Sequence, residues 1–188
     1  SKCGSLAIYI MVSGDNSGIF GREVQFQYMR ILFIVNPISG LGSGKELPGR
    51  IKAIPEYEQV DFDIVFTKYA GHARILVGEA RDSGKYTHVV AVGGDGTVNE
   101  VGTALCGSDI AFAVVSLGSG NGFARHLGYS IFMNKALRQV LTDCYAQIDV
   151  LQINDKYSLN VSGVGFDAEV AHELNHLKLR GVLSYIYA

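Results

Sequence analysis

Short runs of apolar residues recur along the chain from Arg30 to about Leu141, and stretches with helical spacing separate them. The β-branched composition of these runs is typical of buried parallel strands. We predict strands at 30–35, 61–66, 88–92 and 110–115, and helices near 45–54, 72–81, 98–105, 122–127 and 134–141. Strands that alternate with helices at this spacing indicate an α/β fold, with a parallel sheet flanked by helices on both faces.

The pattern changes at both ends of this region. Apolar runs at 146–153 and 157–161 flank the polar turn Asn154-Asp155-Lys156 and predict a β-hairpin. Near the start, the runs at 6–12 and 24–28 suggest two further strands. We therefore divide the chain into an extension of unknown role (1–28), an α/β domain (29–144) and the incomplete start of a β-rich second domain (145–188).

The strand at 88–92 leads into Gly93-Gly94-Asp95-Gly96-Thr97, and a helix is expected to follow directly. Backbone N–H groups at such a turn lack partners, so they suit an anionic phosphate, which glycines allow to approach closely. Thr97 and Glu100 have the spacing of a capping box. A carboxylate would repel a phosphate, so Asp95 is expected to hold Mg²⁺, bind a hydroxyl or accept a proton.

Three more polar segments follow predicted strands. They are Asn36-Pro37-Ile38-Ser39-Gly40, Thr67-Lys68-Tyr69-Ala70-Gly71-His72-Ala73 and Leu117-Gly118-Ser119-Gly120-Asn121-Gly122-Phe123-Ala124-Arg125. Because the carboxyl ends of parallel strands share one edge of the sheet, all of the segments should converge on a single crevice there. We therefore expect one site rather than several.

Together the four segments resemble the motifs of the diacylglycerol kinase and sphingosine kinase superfamily of lipid kinases, namely GGDGT-x-NE, NPxSG, T-x-x-x-x-HA and G-[TS]-x-N-x-[FL]-A-R. NAD kinases and phosphofructokinase-like folds share only the shorter GGDG. The resemblance covers about 30–188, and it implies a sheet like the N-terminal domain of those folds followed by a β-rich second domain. Gly122 stands where many diacylglycerol kinase-like members have Asp. A small residue at this position slightly favours the sphingosine kinase-like pattern, so the identity of the lipid acceptor stays open.

The resemblance implies an ATP-dependent lipid kinase that transfers the γ-phosphoryl group to a lipid hydroxyl, with ATP and Mg²⁺ as cofactors. Asp95 is the predicted catalytic residue, either as a ligand of Mg²⁺ or as the proton acceptor for the lipid hydroxyl. The predicted nucleotide-binding positions are Asn36, Pro37, Ile38, Ser39, Gly40, Thr67, Gly93, Gly94, Asp95, Gly96, Thr97, Val98, Asn99, Glu100, Ser119 and Asn121. His72 is given a minor role.

The segment from Asn160 to Ala168 resembles the N-x-x-G-x-GFDA segment at the start of the family's second domain. Since the sequence stops at Ala188, we expect a truncated kinase that lacks the acidic residue contributed by the later second domain. Such a chain should bind ATP or ADP, transfer phosphate poorly and expose apolar surface, which leaves homo-oligomer formation open. The alternatives are a kinase of a soluble acceptor such as NAD and a non-catalytic nucleotide-binding module.

The composition limits which partners and which cellular location we expect for this chain. The net charge of −2 gives no basic field for nucleic acid, and no apolar run reaches the ~20 residues of a membrane span. A lipid acceptor would therefore be met by peripheral contact with the inner face of the membrane or by extraction of single molecules. Three cysteines without metal spacing favour a reducing, cytoplasmic location.

Overall fold

The computed structural model describes residues 28–142, 145–154 and 156–159, together with the backbone of Ala7–Met11. The strands are β1 Ala7–Met11, β2 Arg30–Val35, β3 Asp61–Phe66, β4 His88–Gly93, β5 Ala111–Ser116, β6 Tyr145–Asp149, β7 Leu151–Ile153 and β8 Lys156–Ser158. The α-helices are α1 Leu47–Lys52, α2 His72–Ser83, α3 Asp95–Ala104, α4 Gly122–His126 and α5 Met133–Gln139, and 3₁₀ turns occupy Ser39–Glu46 and Pro55–Tyr57.

Six of the strands form one sheet in the order β3-β2-β4-β5-β1-β6. Strands β3, β2, β4 and β5 run parallel, and β1 continues the parallel set beside β5. Strand β6 closes this edge antiparallel to β1. The predicted α/β class is confirmed, and the strand predicted at 6–12 is found as β1.

The central strands carry the core. Every residue of β4 and β5 is buried, as are five of the six residues of β2. Strands that are covered by helices on both faces read as continuous apolar runs, which explains why their positions were predictable from sequence. The bounds of β2 and β3 match the prediction, while β4 ends one residue later and β5 is displaced by one residue.

The predicted hairpin needs a correction. Its first strand is broken at Val150, because β6 joins the main sheet through Ala146 and its neighbours whereas β7 turns away. Strands β7 and β8 pair antiparallel as a separate two-stranded sheet, with Leu151 opposite Ser158. The β-rich part that begins here is therefore shorter in each strand than the apolar pattern suggested. The predicted strand at 24–28 and the segment from Asn160 to Ala168 lie outside the described residues, Tyr28 apart.

Candidate functional site

Helix α3 begins directly after β4, at Asp95, with Gly94 at its N-cap. Val98 N–H donates to the Gly94 carbonyl and closes the first turn, so the N–H groups of Asp95, Gly96 and Thr97 have no intrahelical acceptor. Within the part of the chain that the structure describes, no side chain caps this end. The turn therefore presents three backbone donors and the positive end of the helix dipole at the carboxyl edge of the sheet.

The predicted capping box is wrong. The helix begins two residues before Thr97, so Thr97 is its third residue and cannot be the N-cap. The Thr97 hydroxyl instead accepts a hydrogen bond from Asn36 Nδ2 at 3.3 Å, and Glu100 Oε1 accepts one from the Gly71 N–H at 3.0 Å. Both side chains thus tie α3 to the neighbouring loops rather than to its own backbone.

The three glycines of this turn have different surroundings. A Cβ at Gly93 would lie 2.6 Å from Thr97 Oγ1, which leaves no space for any side chain. A Cβ at Gly94 would make an ordinary contact with Gly118 at 3.5 Å, and one at Gly96 would meet nothing within 4 Å. Gly93 is therefore required by packing, Gly94 is in contact with the loop after β5, and Gly96 leaves open space at the start of the helix.

The loop after β2 lies against this turn. Asn36 N–H donates to the Val92 carbonyl at 2.9 Å, and Asn36 Oδ1 accepts from the Ile38 N–H at 3.2 Å. Gly40, Leu41 and Gly42 follow with positive φ angles of 59°, 57° and 94°. A Cβ at Gly40 would lie 2.9 Å from the Leu117 carbonyl, so this loop also contacts the loop after β5.

The loop after β5 packs on the same turn from the other side. The Leu117 N–H donates to the Gly93 carbonyl at 2.8 Å, and a Cβ at Gly118 would lie 2.9 Å from Gly94 Cα. A Cβ at Gly120 would lie 3.2 Å from Asp95 Oδ2, so the Asp95 carboxylate borders this loop. The sequence had not singled out Gly118 and Gly120 as site residues, although the Gly-Ser-Gly run marks this close approach.

Asn121 ends that loop in the left-handed region, at φ 52°, and is buried. Its Oδ1 atom has no hydrogen-bond partner among the described residues. An unpaired buried amide oxygen is costly unless water or a ligand satisfies it. This orphaned atom is a second indication that the crevice accommodates a polar molecule.

The loop after β3 is held by backbone and side-chain contacts. The Thr67 N–H donates to the Val35 carbonyl at 2.8 Å, and the Lys68 N–H donates to His72 Nδ1 at 3.1 Å. The rings of Tyr69 and His72 lie 4.7 Å apart. The bond from the Gly71 N–H to Glu100 then anchors the loop to α3, and His72 organises the loop.

The other predicted positions differ in where they face. Pro37 and Ser39 are half-buried in the loop after β2, and Ile38 and Ser119 are exposed on the rim. Val98 is 3% exposed and packs in the core, so only its backbone faces the turn. Asn99 Oδ1 accepts a hydrogen bond from the Leu159 N–H at 3.1 Å, on the side of β8.

Among the described residues, no three His, Cys, Asp or Glu side chains cluster closely enough to hold a metal ion by themselves. In the same part of the chain, no helix is long and apolar enough to cross a bilayer.

Comparisons with known proteins agree with this geometry. The diacylglycerol kinase catalytic domain family matches residues 30–153. The chain is 33% identical over 131 residues to a protein of Pseudomonas savastanoi pv. phaseolicola named "Probable lipid kinase YegS-like", with 68% of this chain and 42% of that protein covered. It is 35% identical over 137 residues to "Probable lipid kinase YegS" of Escherichia fergusonii, with 69% and 45% covered.

Solved structures give the same result. A diacylglycerol kinase from Bacillus anthracis str. Sterne superposes with a TM-score of 0.53 at 27% identity, covering 63% of this chain and 44% of that one. The chain therefore spans less than half the length of the relatives it matches. Four parallel strands with glycine loops at their carboxyl edge, together with the match over residues 30–153, place this chain in the diacylglycerol kinase catalytic domain family of lipid kinases.

Proposed function

We propose that this chain binds ATP at the carboxyl edge of the sheet and supports transfer of the γ-phosphoryl group to a lipid hydroxyl. One observation carries the proposal. Three N–H groups at the start of α3 have no acceptor among the described residues, and the glycine loops after β2 and β5 pack beside that turn and leave open space at Gly96. Phosphoryl transfer depends mostly on positioning and charge stabilisation, which such a cradle provides.

The residues have distinct roles in this proposal. The N–H groups of Asp95, Gly96 and Thr97 hold the phosphates, and the open space at Gly96 allows their approach. Asn36 and Thr97 hold each other in place at the phosphate end. The loop after β2, which carries Ser39, and the loop after β3, which carries Thr67, border the nucleoside.

Asp95 has the chemistry required of a ligand for Mg²⁺. Mg²⁺ is usually held by one or two carboxylates together with phosphate oxygens and water, so a single carboxylate beside a phosphate cradle fits the ion without a larger acidic cluster. When bound, the ion would neutralise charge on the phosphates. The position of Asp95 Oδ2, at the edge of the loop after β5 near Gly120, supports this role.

Asp95 can alternatively accept the proton of the acceptor hydroxyl. In that step the lipid oxygen forms a bond to the γ-phosphorus, the bond to the bridging oxygen of ADP breaks, and the hydroxyl proton passes to the Asp95 carboxylate. The acceptor would be reached at the cytoplasmic surface of a membrane, where ATP is available.

The fate of the labelled γ-phosphate of ATP tests the proposal. The label should appear on a diacylglycerol, monoacylglycerol or sphingoid acceptor and not on NAD. Label on the dinucleotide would favour a kinase of a soluble acceptor, because NAD kinases share the GGDG motif. Nucleotide binding without transfer to any acceptor would instead indicate a binding module. Absence of nucleotide binding would overturn the proposal altogether.

A further inference from the structure

Helix α3 contacts the second sheet as well as the crevice. One turn after Asp95, Asn99 Oδ1 accepts a hydrogen bond from the Leu159 N–H at 3.1 Å, directly after β8. The Asn99 carbonyl also accepts a hydrogen bond from the Thr103 hydroxyl at 2.6 Å. The side chain of Asn99 thus reaches the residue after β8, while its carbonyl is bonded within α3.

A second contact lies one turn further along α3. A Cβ at Gly102 would overlap Leu159 Cδ1 and would lie 2.9 Å from Phe112 Cε1. The missing side chain therefore creates the space into which Leu159 packs, between α3 and β5. Glycine is unfavourable inside a helix by roughly 0.5–1 kcal/mol relative to alanine, so this close approach gives it a specific purpose here.

These two contacts make α3 a rigid link between the phosphate-binding turn and the start of the second sheet. Its first turn carries the free N–H groups, and its second and third turns hold Leu159 by a hydrogen bond and by packing. A displacement of the first turn on nucleotide binding would move Leu159, since no flexible segment lies between them.

We propose that Asn99 is a positioning residue that couples the second sheet to the phosphate-binding turn, acting through Leu159 rather than by touching the nucleotide. The inference rests on the proposed function, because it requires a nucleotide at the first turn of α3. It also revises the sequence-based expectation for Asn99, whose amide oxygen is committed to Leu159. Coupling between two sites is reciprocal, so nucleotide binding must be detectable at Leu159.

Hydrogen exchange in the 188-residue chain tests the coupling. We expect ADP to slow exchange of the Leu159 amide roughly tenfold in the wild type, within the usual range of coupling free energies. Asn99→Ala removes the acceptor, so the response at Leu159 should disappear, and by the same reciprocity ADP affinity should fall by up to about tenfold. Asn99→Asp retains an acceptor oxygen and should restore the response. Asn134→Ala, on the exposed face of α5, is the matched control and should behave as the wild type.

The outcomes separate the two proposals. If the wild type binds ADP but exchange at Leu159 does not respond, or if Asn99→Ala keeps the response, the coupling is wrong and the proposed function stands. If Asn99→Ala loses far more than about tenfold in ADP affinity, the loss exceeds what the coupling supplies, so Asn99 contacts the nucleotide directly and the coupling is again wrong. If the wild type binds no nucleotide at all, the proposed function fails and the coupling fails with it.

Discussion

Asp95 lies at the first residue of α3, with its carboxylate beside Gly120. We predict that Asp95→Asn leaves the fold unchanged, because the amide has nearly the same shape, and lowers the rate of phosphoryl transfer on the order of 10²–10⁴-fold if the carboxylate accepts a proton. If Asp95 instead holds Mg²⁺, raising the magnesium concentration should recover part of the activity. Steady-state kinetics at several magnesium concentrations separate these roles.

Asp109→Asn provides the control for this variant. Asp109 is exposed and precedes β5, so it lies at the opposite, amino edge of the sheet. The Asp109→Asn substitution also removes one negative charge from the chain, but it leaves the crevice unchanged. Transfer by the Asp95→Asn protein at the full rate of the Asp109→Asn protein would remove Asp95 from the mechanism.

His88 allows a prediction about pH. Its Nε2 lies 2.9 Å from the Tyr145 hydroxyl and its Nδ1 lies 2.7 Å from Thr87 Oγ1, and burial lowers the pKa of the imidazole to about 4 from its ordinary 6.5. Because the unfolded chain binds the proton more readily, the free energy of unfolding should decrease as the pH falls from 6.5 to about 4. The slope should be at most about 1.4 kcal/mol per pH unit.

Urea denaturation across that pH range measures this effect. His88→Gln should lose this part of the pH dependence, whereas His126→Gln, at an exposed position of α4, should keep it. Identical pH profiles for His88→Gln and the wild type would show that the pKa of His88 is the same in the folded and unfolded states, against what its burial implies.

At the scale of elements, the turn between β4 and α3 separates binding from stability. Gly96 has open space at its Cβ position, so Gly96→Ala should keep the fold and gain a few tenths of a kcal/mol from helix propensity. If the phosphates occupy the open space at Gly96, the added methyl group crowds them, so ADP affinity should fall at least about tenfold. Calorimetric titration and thermal unfolding of the same sample measure both quantities.

Gly93→Ala is the contrasting variant in the same turn. Its Cβ would lie within 2.7 Å of both Thr97 Oγ1 and Thr97 Cβ, so we expect a loss of stability of about 1–3 kcal/mol. A Gly96→Ala protein that binds ADP as tightly as the wild type would show that the phosphates do not lie on this turn.

The sequence predicted the four central strands to within one residue, both where the strand is fully buried, as in β4 and β5, and where it is only half-buried, as in β3. Strands β2 and β3 have the predicted bounds because their apolar runs end at polar turns. The capping box failed because Thr97 and Glu100 bond to Asn36 and Gly71, partners that are distant in sequence. The contact between Gly118 and Gly94 could not be predicted for the same reason, since it depends on how two loops meet.

At the scale of the whole molecule, the sheet brings segments from four strand ends to one edge, which the alternation of strands and helices had predicted. The division into three regions stays a prediction. A nucleotide would bridge the loops after β2, β4 and β5, so we expect ADP to raise the melting temperature. At a concentration one hundred times the Kd, binding should add about 2.7 kcal/mol to the free energy of unfolding. A melting temperature that does not rise with ADP concentration would contradict a site shared by these loops.

Amide chemical-shift mapping with ADP and Mg²⁺ shows directly where the nucleotide binds, because the amides nearest to the ligand shift most. A cavity of about 450 Å³ lies near the opposite edge, lined by Met29, Glu56, Gln59, Val60, Arg138 and Leu141, and it provides the contrasting location. We predict that the largest shifts fall in the turn from Gly93 to Val98 and in the loops at 36–40 and 117–121. Shifts confined to the residues around that cavity, with the glycine turn unchanged, would contradict it.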